Sequence, residues 1–367
     1  MKLAQTFQAI EETQFLKQLS SQNRLFFVGE TEILQYLQEF FQKHQQVDNN
    51  YYYDLSIGNL DDIFAQKTEV DKYQAIIVAS FKDEAALFER VKQKAIELKI
   101  KVTPLRLFAD VFINLICKRQ LLQPSSEQII KPKVTYAIVT TPRSGSTYFC
   151  ELLESTGIAG YPAEHLRLAA QQLARYCDFD YLRLLDNLLQ YRTTDNGVFG
   201  TKLISHFLFD FKQTKFDFKQ IFNSLNKFIF LTRRNKLAQA VSLVLAQQTE
   251  IWHIRDVSNN IKYQSKLKDI TINDALLNNI EQKIDFINHQ EARLKKILAD
   301  NKIEPLILSY EDIIEDALSQ TNQVLEFLEI EKPPHYIINV NSRIKKMPSD
   351  ISQEIINLFQ QRKNTVC

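Results

Sequence analysis

The stretch Val134-Thr-Tyr-Ala-Ile-Val-Thr140-Thr-Pro-Arg-Ser-Gly-Ser-Thr147 decides how this chain is read. A short apolar run enters a turn carrying proline, glycine and hydroxyls, and the segment through Glu154 then has helical character. Strand, tight loop and helix in that order converge the amides of Arg143, Ser144, Gly145, Ser146 and Thr147 with the positive end of a helix dipole. Such a corner seats a phosphate or a sulfate. It resembles a nucleotide phosphate loop but lacks the GxxxxGK[ST] pattern, because no lysine precedes Ser146 or Thr147. A kinase or ATPase needs that lysine on the β/γ-phosphates with Mg²⁺ beside it. A sulfuryl group carries less negative charge than a phosphoryl group, so an arginine and backbone amides suffice for it without a metal.

Downstream, Lys227-Phe-Ile-Phe-Leu-Thr-Arg-Arg-Asn235 reads as a strand that delivers Arg233 and Arg234 to its C-terminal end, where open α/β sheets bind ligands. Ser242 follows on the next helix. Two permanently charged, bidentate guanidinium groups with a hydroxyl make a second phosphate site, or simply a solvated arginine pair. Further strands are expected at Thr135 to Thr140, Gly197 to Leu203 and Leu306 to Ser309, with long helical tracts such as Leu166 to Leu189 and Asp256 to Asn288 between them.

Residues 24 to about 120 alternate in the same way. Strands are expected at Leu25 to Val28, Tyr51 to Leu55, Gln74 to Ser80 and Lys101 to Leu105, and helices from Gly29 through Phe41, over Glu84 to Leu98 and over Leu107 to Arg119. The pattern implies a small parallel sheet with helices on it. The proline-containing polar run Gln123 to Pro132 is the natural linker, so the chain divides into 1–130 and 131–367. Gly29 follows a strand as in nucleotide-binding sheets, yet Glu30 and Glu32 stand where further glycines belong and would repel a pyrophosphate. Residues 1–130 therefore read as a Rossmann-like α/β domain that supports, dimerises or recognises an acceptor rather than binding a dinucleotide.

Composition sets the outer bounds. With 45 basic and 44 acidic residues the formal net charge is +1, so no overall field draws the chain to nucleic acid or an anionic membrane. Any anion must be caught locally. Cys117, Cys150, Cys177 and Cys367 form no CxxC pair and no zinc spacing with histidine, and read as reduced thiols. The N-terminus lacks a secretory signal and the most apolar stretch, Leu105 to Cys117, is too short to span a bilayer and reads as a buried amphipathic helix. These features point to a cytoplasmic protein with no transmembrane segment. Five of only 7 glycines fall between Gly145 and Gly200, which marks that region as special.

Four blocks carry a resemblance: Thr141 to Thr147 continuing to Ala159-Gly-Tyr-Pro-Ala-Glu164; Asn196-Gly-Val-Phe-Gly-Thr-Lys-Leu203; Gln239-Ala-Val-Ser-Leu243; and Gln248-Thr-Glu-Ile-Trp-His253. Together, over about 133–365, they resemble the trehalose sulfotransferase family. The resemblance implies a P-loop-like parallel-sheet sulfotransferase domain, 3′-phosphoadenosine 5′-phosphosulfate (PAPS) as sulfuryl donor, no metal, and a carbohydrate or glycolipid acceptor. It also implies that Arg143 to Thr147 hold the 5′-phosphosulfate and that Arg233 or Arg234 with Ser242 hold the 3′-phosphate. Sulfotransferases space that arginine and serine eight residues apart, which favours Arg234; Arg343 is a further candidate.

By the same resemblance Glu164 is the base that takes the acceptor proton. Lys202, after Gly200, either stabilises charge near the acceptor or the leaving phosphate or is a solvated strand residue; Arg143 is read as neutralising that phosphate. His165 departs from the aromatic residue that the family places after its glutamate. Trp252, the only tryptophan, either stacks on a ligand ring or packs in the core, and the core is the expectation. Ser309 to Ile313 reads as a strand end and helix cap without chemistry. A nucleotide-dependent kinase and a non-catalytic glycan- or partner-binding module are the competing functions, and a homodimer fits the sequence as well as a monomer.

Overall fold

The computed structural model describes residues 14–22, 24–44, 48–55, 58–63, 67–124, 131–166, 170, 173, 179, 181–210, 218–254, 256–334 and 350–366. Two compact units emerge. One comprises Met1–Lys131 with His165–Arg192 and Phe211–Phe218; the other comprises Pro132–Glu164, Thr193–Asp210 and Lys219–Cys367. The first crossing between the units falls at Lys131 and Pro132, and helix Tyr181–Tyr191 belongs to the first unit.

In the first unit, strands β1 (Leu25–Gly29), β2 (Tyr51–Asp54), β3 (Ala75–Ala79) and β4 (Pro104–Arg106) form a parallel sheet of order β2-β1-β3-β4. Every residue of β1 and β3 is buried, as expected for central strands covered on both faces. Helix Thr31–His44 turns Ile33, Leu34, Leu37 and Phe41 inward, and helix Glu84–Glu97 does the same with Leu87, Val91 and Ala95. The buried helix expected near Leu105 to Cys117 is present, but Leu107–Phe112 winds as π-helix before the α-helical Ile113–Ile116. Gly29 serves packing: a Cβ there would stand 2.1 Å from the Ala79 carbonyl oxygen. The ends of β1 and β3 are closed by the unit's own side chains. Ser80 Oγ donates to Glu30 Oε1 at 2.5 Å, and the buried Glu84 carboxylate accepts from the amides of Phe108 (2.8 Å) and Ala109 (3.1 Å).

The second unit repeats this plan. Strands β5 (Val134–Thr140), β6 (Val198–Ile204), β7 (Lys227–Thr232) and β8 (Leu306–Ser309) are parallel in the order β6-β5-β7-β8. Tyr136 and Ile138 of β5 and Ile229 and Leu231 of β7 share a core with helices Ser146–Ser155 and Ala317–Phe327. Helices Lys236–Thr249, Val257–Lys268, Asp274–Asp300 and Asp350–Val366 build a second core. The helical tract expected over Asp256 to Asn288 is thus broken, with Asn273 capping the longer piece through the Leu276 amide at 2.9 Å. The chain leaves β5 towards β6 on one side and reaches β7 on the other. The loops after β5 and β7 therefore part at a topological switch point, the crevice where α/β sheets hold ligands.

Candidate functional site

The loop after β5 is fixed from below. Thr140 Oγ1 pairs with Ser144 Oγ at 2.6 Å and donates to the Leu231 carbonyl at 2.7 Å, tying the loop to β7. Gln239, fully buried on helix Lys236–Thr249, donates from Nε2 to Thr141 Oγ1 (2.9 Å) and the Pro142 carbonyl (2.8 Å). The backbone bends through positive φ at Arg143 (62°) and Gly145 (82°), and a Cβ at Gly145 would lie 2.2 Å from Tyr310 Cδ2. Helix Ser146–Ser155 starts there without a side-chain cap. The first amides of a helix have no intrahelical acceptor, so this end suits an oxyanion.

The arginines divide their roles. Arg143 Nε donates to Ser242 Oγ at 3.0 Å, and its Nη1 donates to the Trp252 carbonyl. Arg233 Nη1 donates to the Arg143 carbonyl at 3.3 Å, and its guanidinium lies 4.7 Å from the Tyr310 ring centroid. Desolvation lowers the pKa of Arg143 to about 10, with the charge of Arg233 acting in the same direction. Desolvation depresses Arg233 too, and its Nε is buried without a hydrogen-bond partner among the described residues. Arg234 points elsewhere: Nη1 meets Asp312 Oδ1 at 2.7 Å, and Glu311 accepts from the Arg234 and Asn235 amides at 2.9 and 3.1 Å. The structure therefore brings Arg233 and Ser242 to the loop and turns Arg234, favoured by spacing, outward. Arg343 lies outside the described residues.

Glu164 and Lys202 meet because glycine permits it. A Cβ at Gly160, where φ is +73°, would come within 2.9 Å of the Gly200 amide nitrogen, so the chain leading to Glu164 lies directly on β6. The Lys202 amide then donates to the Ala163 carbonyl at 2.9 Å. Lys202, pairing with Ile138 across β5 and β6, is buried, and its Nζ reaches both Thr147 Oγ1 (3.1 Å) and Glu164 Oε2 (3.3 Å). One ammonium thus joins the first turn of the anion helix to the candidate base.

Several supporting residues carried little or no signal in the sequence. Tyr310, at the start of the helix after β8, fills the space beside Gly145 and backs Arg233, and nothing before the fold links it to the loop. Gln239 stood inside a matched block without a role. Lys236 Nζ donates to the Arg233 carbonyl at 2.6 Å and pairs with the buried Glu291, which also accepts from Thr232 Oγ1 at 2.7 Å. These bonds brace the turn after β7. Ser309 caps its helix as expected, accepting from the Asp312 amide at 3.2 Å. Trp252 departs from expectation: the residue is 45% exposed. Its carbonyl, not its ring, is what Arg143 holds.

A parallel sheet with an uncapped strand–loop–helix corner at its switch point, backed by two partly desolvated arginines, defines a P-loop-like α/β protein whose corner has the donor chemistry that suits an oxyanion. Residues 135–362 match the family model described as Stf0 sulphotransferase, and the chain belongs to that trehalose 2-sulfotransferase family. Membership implies sulfotransferase activity. The chain matches none of the curated proteins compared with it. Among the described residues no helix is long and apolar enough to cross a membrane.

Proposed function

We propose that the protein transfers a sulfuryl group from PAPS to a hydroxyl of a carbohydrate or carbohydrate-bearing acceptor in the cytoplasm. Three observations fit the donor: an uncapped helix start, a Gly145 that leaves no room for a side chain, and the unpartnered buried Nε of Arg233. The amides of residues 143–147 would hold the 5′-phosphosulfate, and Ser242 with Arg233 the 3′-phosphate; Arg234 would have to leave Asp312 to take part. When bound, PAPS supplies a sulfuryl group activated by its bond to phosphate.

The chain's own residues supply the rest. Glu164 takes the proton of the acceptor hydroxyl. Lys202 fixes the orientation of that carboxylate and, through Thr147, its place relative to the donor loop. Arg143 and the loop amides neutralise negative charge at the departing phosphate.

The observation that carries this reading is the Lys202 bridge, which sets a carboxylate beside the anion loop. Glu164→Gln tests it. With labelled PAPS and sugar acceptors, turnover should fall by roughly 10²–10⁴-fold, while calorimetry gives an unchanged Kd for adenosine 3′,5′-bisphosphate. Folded wild-type protein that fails to bind the bisphosphate would refute the donor assignment.

A further inference from the structure

A lysine lies two hydrogen bonds away from the anion loop without belonging to it. Lys236 opens the helix after β7, and its ammonium donates to Thr232 Oγ1 at 3.1 Å, to the Arg233 carbonyl at 2.6 Å and to Glu291 Oε1. An ammonium carries three protons, so these bonds exhaust it. Lys236 has nothing left to give a phosphate, and its role lies in what it holds. Glu291 comes from the middle of helix Asp274–Asp300, 55 residues further along the chain, and the same Oε1 accepts from Thr232 Oγ1 at 2.7 Å.

A buried carboxylate is costly unless it is paired, and Glu291 is buried. What the pair secures is one backbone carbonyl, that of Arg233. The guanidinium of the same residue is fixed at its far end. Nη1 donates to the Arg143 carbonyl at 3.3 Å, where φ is +62°, and the group lies 4.7 Å from the Tyr310 ring centroid. Main chain and head group are both clamped, while the buried Nε has no hydrogen-bond partner among the described residues. The nearby acids are engaged by its neighbours: Asp312 pairs with Arg234, and Glu291 with Lys236. Guanidinium bonding to phosphate is directional, so an arginine fixed at both ends binds it at a smaller entropic cost than one free to swing. Resting on the sulfotransferase reading above, we infer that Glu291, acting through Lys236, is a positioning residue for Arg233 and sets the preference of the site for a 3′-phosphorylated nucleotide over the 5′-monophosphate.

Calorimetry on the full-length protein with adenosine 3′,5′-bisphosphate and with adenosine 5′-monophosphate reads that preference directly. The wild type should bind the bisphosphate at least about tenfold more tightly, and Glu291→Ala should lose most of that factor while its Kd for the monophosphate stays within about twofold. Lys236→Met interrupts the same chain of bonds and should act alike, and the double variant should lose no more than either single one. If Glu291→Ala does not fold, Lys236→Met decides the question alone. Equal weakening towards both nucleotides, losses that add in the double variant, or a wild type without the preference overturns the positioning role. Tighter bisphosphate binding by Glu291→Ala also overturns it, since the released ammonium would then take the phosphate itself. Failure of the folded wild type to bind the bisphosphate at all is a separate result that overturns the donor assignment.

Discussion

At Gly145 the backbone stands at φ +82° and the Tyr310 ring occupies the place of a side chain. Alanine there meets left-handed strain and a steric clash together, so Gly145→Ala should destabilise the protein by about 1–3 kcal/mol and weaken bisphosphate binding. Urea unfolding followed by calorimetry separates the two losses; a variant as stable as wild type would mean that Tyr310 moves freely. The loop itself was legible because proline, glycine and hydroxyls between an apolar run and a helix leave few alternatives. Tyr310 was not, since its nearness to Gly145 is created by β8 lying next to β7. The choice between Arg233 and Arg234 was hidden for a related reason. Neighbours in sequence diverge in direction at a strand end, and Asp312, which claims Arg234, comes from the same distant helix start.

Among the elements, the strands were the most legible. β8 matches its expected span and β1, β3, β5, β6 and β7 fall within a residue or two at each end; for the central strands β1, β3, β5 and β7 the reason is that a parallel strand covered on both faces is nearly continuously apolar. The π-wound Leu107–Phe112 was invisible, since a period of apolar residues does not distinguish π from α winding in so short a run. That segment has a chemical consequence through Glu84, which accepts from its first amides. Burial pushes the Glu84 carboxyl up from an ordinary 4.5 to about 8, although the Phe108 and Ala109 amides and Arg106 pull it down. Since the folded value exceeds the unfolded one, its stabilising contribution is full below pH 4.5 and is lost as pH rises through about 8. Thermal melts between pH 5 and pH 9 should therefore show a decline in Tm that Glu84→Gln flattens. Parallel declines in both proteins would place the titration elsewhere.

Across the two units one sheet order occurs twice. In the first, Glu30 after β1 and Ser80 after β3 hydrogen-bond to each other, an arrangement that offers a pyrophosphate a carboxylate where glycine amides would be needed. Hydrogen exchange should then slow at residues 140–149 and 232–242 when adenosine 3′,5′-bisphosphate binds and stay unchanged at 25–30 and 79–84. Equal protection in both regions would reveal a second nucleotide site. That helix Tyr181–Tyr191 joins the first unit is not written in its place along the chain, because sequence order carries no statement of which core a helix joins.

The near balance of 45 basic against 44 acidic residues also bears on laboratory practice. There is no net field to draw anions from a distance, and two desolvated arginines stand at one loop. On the proposed donor site, sodium chloride and sodium phosphate of equal ionic strength are therefore not equivalent salts for this protein. Phosphate or sulfate from a purification step should then compete with the donor for the loop, and its inhibition in an assay should be relieved by raising the donor concentration.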